Sequence, residues 1–226
     1  RHGWTKKPWT APNAEENVTL HPDRLSAPLA WKTPKRVFVN SMSDLFHPLV
    51  PDAFIDRIFG VMAACPQHTF QVLTKRPERM REYLLLDGRD ILVWIESYNA
   101  KPTPRLREAG APWPLPNVWV GTSVEAQREA EQRIPHLLRT PAAVRFLSCE
   151  PLLGPLDVRN LRASNGALID CLGGDVKTPD GSEIYAACPG TVTWVIAGGE
   201  SGPGFRPMDL DWVRSLRDQC GATRVA

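Results

Sequence analysis

"TVTWVIAGGESG", residues 191–202, begins as an apolar run and ends in glycines around one glutamate and one serine. The run is short, rich in β-branched and aromatic residues, and lacks helical spacing. It has the form of a strand buried on both faces. Its end places Glu200 and Ser201 where the backbone becomes exposed. Four other stretches share this form: "RVFVNSMSDLF" (36–46), "TFQVLTKRP" (69–77), "NVWVGTSVE" (117–125) and "VRFLSCEP" (144–151). Each passes from Val, Ile, Phe or Trp into small or charged residues.

Helical patterns follow most of these strands. Phe54, Ile55, Ile58, Phe59 and Met62 fall on one face, with Pro66 as terminator. Pro77 suits a first helical turn before Met80, Tyr83 and Leu84. Thr122 and Glu125 have capping-box spacing ahead of Ala126, Ala130, Ile134 and Leu137, and Pro135 is expected to bend or split that helix. Asp209 is a candidate cap for a helix with Leu210, Val213 and Leu216 inward and Gly221 as terminator. Strands alternating with helices imply a parallel sheet in an α/β fold, with strands near 37–41, 70–74, 117–121, 144–148 and 192–197. "DILVWIESYN" (90–99) fits either a strand or a helix.

Residues 1–35 lack periodicity and read as an irregular arm, and 157–190 reads as a loop insertion with a hairpin around "PDGS". The 36–226 remainder reads as one barrel-like domain. "ATRVA" after Gly221 resembles the entry to a further strand, so further units are expected beyond both ends.

Composition narrows the classes. With 226 residues, 42% hydrophobic and 23% charged, the chain supports a substantial core. A formal charge of +2 neither demands nor excludes nucleic acid. No apolar run reaches the 18 or so residues of a membrane span, and the start lacks a signal-peptide core. Five widely spaced cysteines (65, 149, 171, 188, 220) contain no CxxC, which argues against a disulfide framework or a closed zinc site and for a reducing cytoplasm. Only Cys171 and Cys188 are close enough in sequence to invite a check for proximity.

In parallel α/β folds, ligands bind where the loops at the carboxyl ends of the strands converge. Those ends supply Asn40, Ser41, Ser43 and Asp44; Lys75 and Arg76 after Thr74; Thr122, Ser123 and Glu125; Glu150 after Ser148 and Cys149; and Gly198, Gly199, Glu200 and Ser201. Each has a plainer reading: Asp44 and Glu125 as helix caps, Lys75 and Arg76 as ion partners of Asp44 or Glu150, the glycines as a sharp turn. Cys149 reads as a small core residue rather than a nucleophile, and His47 is the one nearby histidine. No metal ligand set is identified. Trp119 and Trp194 read as core. Trp4, Trp9 and Trp31, among Lys6, Lys7, Lys32, Lys35 and Arg36, suit either base stacking or packing on the barrel exterior.

"VFVNSMSDLF", "QVLTKRPERM", "NVWVGTSVE", "RFLSCEPLLGP" and "VIAGGESGPGFRPM" together resemble a bacteriophage and prophage family of uncharacterised proteins over residues 36–220. That family looks like a distant relative of radical S-adenosylmethionine (SAM) enzymes. The resemblance implies a partial TIM-type barrel, SAM and a [4Fe–4S] cluster as cofactors, and work in the cytoplasm of a host cell. It also implies a three-cysteine segment near the N-terminus and a final aromatic strand. Neither has a counterpart here, so no residue inherits a cluster-binding role. By resemblance, Asn40, Ser41, Ser43 and Asp44 would lie by the SAM amino group and Ser123 or Glu150 by the ribose. Gly198, Gly199 and Glu200 would lie by the adenine. Lys75, Arg76, Thr122, Glu125 and Ser201 would face substrate. The function this implies is a phage or prophage enzyme acting on nucleic acid or nucleotides. The alternative is a non-catalytic phage protein that binds nucleic acid or a host protein.

Overall fold

The computed structural model describes residues 7–8, 10–100, 112–180, 182 and 190–226. Five strands form one parallel sheet in the order β1-β2-β3-β4-β8: β1 Arg36–Val39, β2 Thr69–Thr74, β3 Val118–Ser123, β4 Val144–Cys149 and β8 Trp194–Ala197. The sheet curls into a half-barrel. The strands run parallel in sequence order, so their carboxyl ends share one rim.

Between the strands run α2 (Asp52–Ala64), α3 (Pro77–Leu85), α4 (Arg89–Ala100) and α5 (Gln127–Leu138); α1 is a single turn at Ala14–Asn17, and α6 (Leu210–Thr223) follows β8. The ambiguous 90–99 stretch is thus helix. Its close packing on α2 accounts for this: a Cβ at Gly60 would lie 2.5 Å from Glu96 Cβ, so the two helices meet almost backbone to backbone. Pro135 stays inside an unbroken α5. Asp209 caps α6, accepting a hydrogen bond from Asp211 N at 2.8 Å. Gly221 does not terminate that helix; Arg224 takes the left-handed conformation at its end. Leu210 is not inward either. It is 59% exposed, and Leu216 and Cys220 are the buried residues of α6.

Alternation along the strands sorts side chains onto two faces. Phe70, Val72, Val118, Val120, Leu147 and Cys149 join Ile55, Phe59, Met62, Met80, Ile134 and Leu216 in the helix-packed core. Phe38, Gln71, Leu73, Trp119, Phe146 and Trp194 take the other, concave face. There Trp194 packs against both Trp119 and Phe146, with ring centroids 5.5 Å apart in each case. Phe146 lies flat over Gly121, where a Cβ would come within 2.7 Å of its ring. Trp119 and Trp194 are therefore half-buried groove residues, not members of the main core.

The insertion carries a small antiparallel sheet of β5 (Leu161–Arg162), β6 (Leu168–Ile169) and β7 (Val176–Lys177). Its hairpins precede "PDGS", where Thr178 N donates to Ser182 O at 2.9 Å in a simple turn. Two glutamines dock the insertion. Gln127 of α5 bonds the N–H and C=O of Asp157, and Gln219 of α6 bonds Val158 N and Leu156 O. The arm forms short helical turns, one of which (Ala27–Ala30) packs on α2. Trp31 sits against His68 and beneath Lys35, so the arm packs this indole on the exterior. Trp4, Lys6, Trp9 and Cys188 lie outside the described residues.

A buried ion pair ties α2, α3 and α4 together. Arg89, 2% exposed, pairs with Asp56, bonds the Tyr83 carbonyl at 3.2 Å, and lies 3.9 Å from the centre of the Tyr83 ring. Tyr83 donates its hydroxyl to Asp56 at 2.7 Å. Removing one partner strands a buried charge. Asp56→Ala should therefore lower unfolding free energy by about 3–5 kcal/mol, read from the urea midpoint. A change below 1 kcal/mol would mean the network is incidental.

Candidate functional site

The strand-end residues divide into three groups. The first seals the rim between β1, β2 and β3. Asp44 accepts from Thr74 Oγ1 at 2.7 Å, Lys75 N at 3.1 Å, Arg76 Nη1 at 2.7 Å and Phe46 N at 3.0 Å. Thr122 Oγ1 donates to Thr74 O at 2.8 Å. With four donors on one carboxylate, Asp44 ties the loop after β1 to the loop after β2. Arg76 is spent on the same contact. Asn40, whose φ of 59° turns the chain out of β1, and Ser41 and Ser43 are exposed in the loop above. His47 stands beside this group; burial and the Arg76 charge lower its pKa.

The second group faces the concave groove. Ser123 and Ser148 have the strand parity of Gly121 and Phe146 and take the concave face, while Lys75, Glu125 and Glu150 lie just past the ends of β2, β3 and β4. Thr122 and Glu125 do not form a capping box. Thr122 belongs to β3, and α5 starts at Gln127 after Ala126, which makes no side-chain cap. Glu125 instead holds Lys75 Nζ at 2.5 Å and Arg133 Nη1 at 2.8 Å. Burial pushes its carboxyl pKa up, but Lys75 and Arg133 outweigh burial and leave it below the ordinary value. Arg133, which also donates to Ser123 O at 2.9 Å, was not singled out in the sequence, where it is one of many helical arginines.

Glu150 differs from the other carboxylates. It is exposed, and among the described residues nothing bonds or pairs with its side chain. It lies directly over Gly198, where a Cβ would collide with Glu150 Oε1. The backbone of Gly198 brackets it as well: Gly198 N donates to Cys149 O at 3.2 Å, and Leu152 N donates to Gly198 O at 2.9 Å. The absence of a Cβ here leaves the space that the tip of the Glu150 side chain occupies.

The third group is the loop after β8. Glu200 accepts from Arg206 N at 2.9 Å and from Arg206 Nε and Nη2, both at 2.8 Å. Both its oxygens are occupied, and the loop 200–206 closes on itself. Gly199 and Ser201 lie within that closure, and Phe205 projects from it at 59% exposure. Arg206 escaped the sequence reading because nothing in "GGESGPGFR" marks which residue closes the ring.

Among the described residues no three His, Cys, Asp or Glu side chains are placed to hold a metal ion. Burial pushes the Cys149 thiol up to about 12, so it stays protonated at neutral pH.

The family model described as "Protein of unknown function (DUF5131)" matches residues 2–226. The chain belongs to that family. The match carries neither a source organism nor a chemistry, so the phage origin and the radical-SAM kinship gain nothing from it. No curated protein and no solved structure gives a significant match. Among the described residues no helix is long and apolar enough to cross a membrane.

The Arg206 hydrogen bonds hold Glu200 at a pKa of about 2. A depressed folded pKa means that the loop closure is fully present above the ordinary carboxylate value and is lost as pH falls toward about 2. Protease sensitivity at 200–206 should therefore rise between about pH 4 and 2 under an acid-active protease, and Glu200→Gln should show it already at neutral pH. Equal sensitivity of the two proteins at pH 7 would count against the closure.

Proposed function

We propose that the concave mouth binds S-adenosylmethionine and that the protein is an enzyme of radical-SAM-like construction acting on nucleic acid or nucleotides. The observation that carries this reading is Glu150: a carboxylate with no bonded partner among the described residues, over Gly198 and two residues past Ser148, at the carboxyl rim of a parallel half-barrel. Of the charged groups at this rim, Asp44, Glu125 and Glu200 already have cationic partners. Glu150 remains available to a ligand.

The residues present fit this cofactor. A ribose diol offers two O–H donors to one carboxylate, and the cofactor's sulfonium and ammonium are cations that a carboxylate attracts. Lys75, 59% exposed at its side chain, shares Glu125 with Arg133, and so has charge left for the ligand's carboxylate. Trp194, Ile196 and Leu73, each half-buried, border the mouth. When bound, SAM supplies either an activated alkyl group or, with a reduced iron–sulfur cluster, one-electron chemistry. The cluster itself finds no fit among the described residues. Glu150 and the two serines orient the ligand, Lys75 balances its charge, and the Asp44 and Glu200 contacts hold the flanking loops.

Calorimetric titration of SAM against the protein tests the reading. Binding should be measurable, and Glu150→Gln, which keeps the shape and removes the charge, should weaken it at least tenfold with an unchanged melting temperature. Gly198→Ala should weaken it too, because the new Cβ displaces Glu150. Absence of SAM binding, or binding indifferent to Glu150→Gln, would overturn the reading.

A further inference from the structure

The arm is fastened to the sheet through one imidazole. His68, in the turn between α2 and β2, is 1% exposed. Its Nδ1 accepts from Lys35 N at 3.2 Å, and its Nε2 donates to Pro28 O at 3.2 Å. A backbone N–H only donates and a carbonyl only accepts, so these two contacts fix the tautomer. Nδ1 carries the lone pair and Nε2 the proton. The Gln67 amide lies 3.3 Å from the same Nε2. Between its two anchored ends the arm lays Trp31 against the imidazole, with ring centroids 5.5 Å apart.

The imidazole is held from behind. His68 N donates to Cys65 O at 3.0 Å, and Asn117 Nδ2 donates to the carbonyls of Met62, Cys65 and His68. Phe70 packs edge-on against the ring. His68 thus belongs to the sheet, and the arm is the movable partner. Away from this ring, the end of the arm is tied by Thr69 N, which donates to Lys35 O at 2.8 Å.

We propose that His68 is an acid-sensitive latch for residues 28–35, closed while the imidazole is neutral and released when it takes a second proton. That proton goes to Nδ1, the one ring nitrogen without a hydrogen. There it faces the Lys35 N–H, donor against donor, and the bond is lost. The new charge also lacks a counter-ion. From the arm the ring meets Lys35, whose ammonium lies 5.8 Å from the centre of the Trp31 ring, while Lys32 is exposed. The end of α2 contributes the buried thiol of Cys65. Gln67, Phe70 and Asn117, the neighbours on the β2 and β3 side, carry no charge. Among the described residues no carboxylate bonds the ring. A buried charge without a partner is costly, and undocking the arm returns it to water. The latch sits at the amino end of the sheet, opposite the mouth, and does not depend on what the mouth binds.

Amide hydrogen exchange of the 226-residue chain, followed by NMR at about pH 8 and about pH 5, tests the latch. After correction for intrinsic exchange, protection of the Lys35 amide should fall about tenfold or more at the lower pH, while the β2 and β3 amides keep theirs. The midpoint of that loss should coincide with the titration of the His68 ring. A long-range nitrogen–proton spectrum, with His68 identified by its absence in His68→Asn, should show the Nε2–H tautomer at the higher pH. His68→Asn offers a neutral acceptor in place of Nδ1, so its arm should behave alike at both pH values. Should that variant lose the arm altogether, the tautomer and the midpoint in the parent decide. The inference is overturned by protection that does not change with pH, by a midpoint away from the His68 titration, by the Nδ1–H tautomer, or by the parent's pH dependence persisting in His68→Asn.

Discussion

Parallel sheets ordinarily have both faces covered, because crossover helices pack on each side. Here the crossover helices pack on one face only. The other is sheltered by the curl of the sheet and by its own aromatic side chains. The remaining features depend on this asymmetry. Right-handed crossovers place each helix on the same side, so the helix-packed face becomes a continuous core of Val, Leu, Ile and Phe. The concave face cannot be closed by helices. It carries Trp119, Phe146 and Trp194 packed on one another, and above them the hydroxyls and charges of the mouth.

The same asymmetry explains how much of the fold was legible in the sequence. The five apolar runs located the strands to within two residues, because a strand with one face in a core needs Val, Ile and Phe regardless of what its other face does. The helices were legible where apolar spacing was regular, as in α2 and α3. Sequence reasoning failed where a single residue served a tertiary contact. Leu210 kept the helical phase but ended outside the core. Pro135 stayed within α5, since one missing N–H did not outweigh the burial of Ile134, Leu137 and Leu138.

The site was legible as a set of positions and not as an arrangement. Lys75 and Arg76 are neighbours in sequence and looked like one basic pair. Just past the end of β2 their side chains part, Lys75 toward Glu125 and Arg76 toward Asp44. A period of two turns every adjacent pair of strand-end residues into members of different sites. Nor does sequence say which carboxylate is spent. Glu200 and Glu150 each follow a strand, yet Arg206 neutralises the first and no described residue pairs with the second.

Charge at the rim follows a consistent rule. Asp44 holds Arg76, and Glu200 holds Arg206, each within 2.8 Å, and each contact stabilises the loop that carries it. Glu125 holds two cations at once, which leaves that corner of the groove with a surplus positive charge. Glu150, two strand positions past Ser148, carries the matching surplus of negative charge. Both surpluses are exposed to water, where a direct pair would gain at most about 1 kcal/mol. Lys75 is held on Glu125, and Glu150 lies over Gly198 beside the β8 backbone. Separated opposite charges across a groove with an apolar floor are the arrangement that a ligand carrying both signs can neutralise at one binding event, and that the protein alone leaves unneutralised.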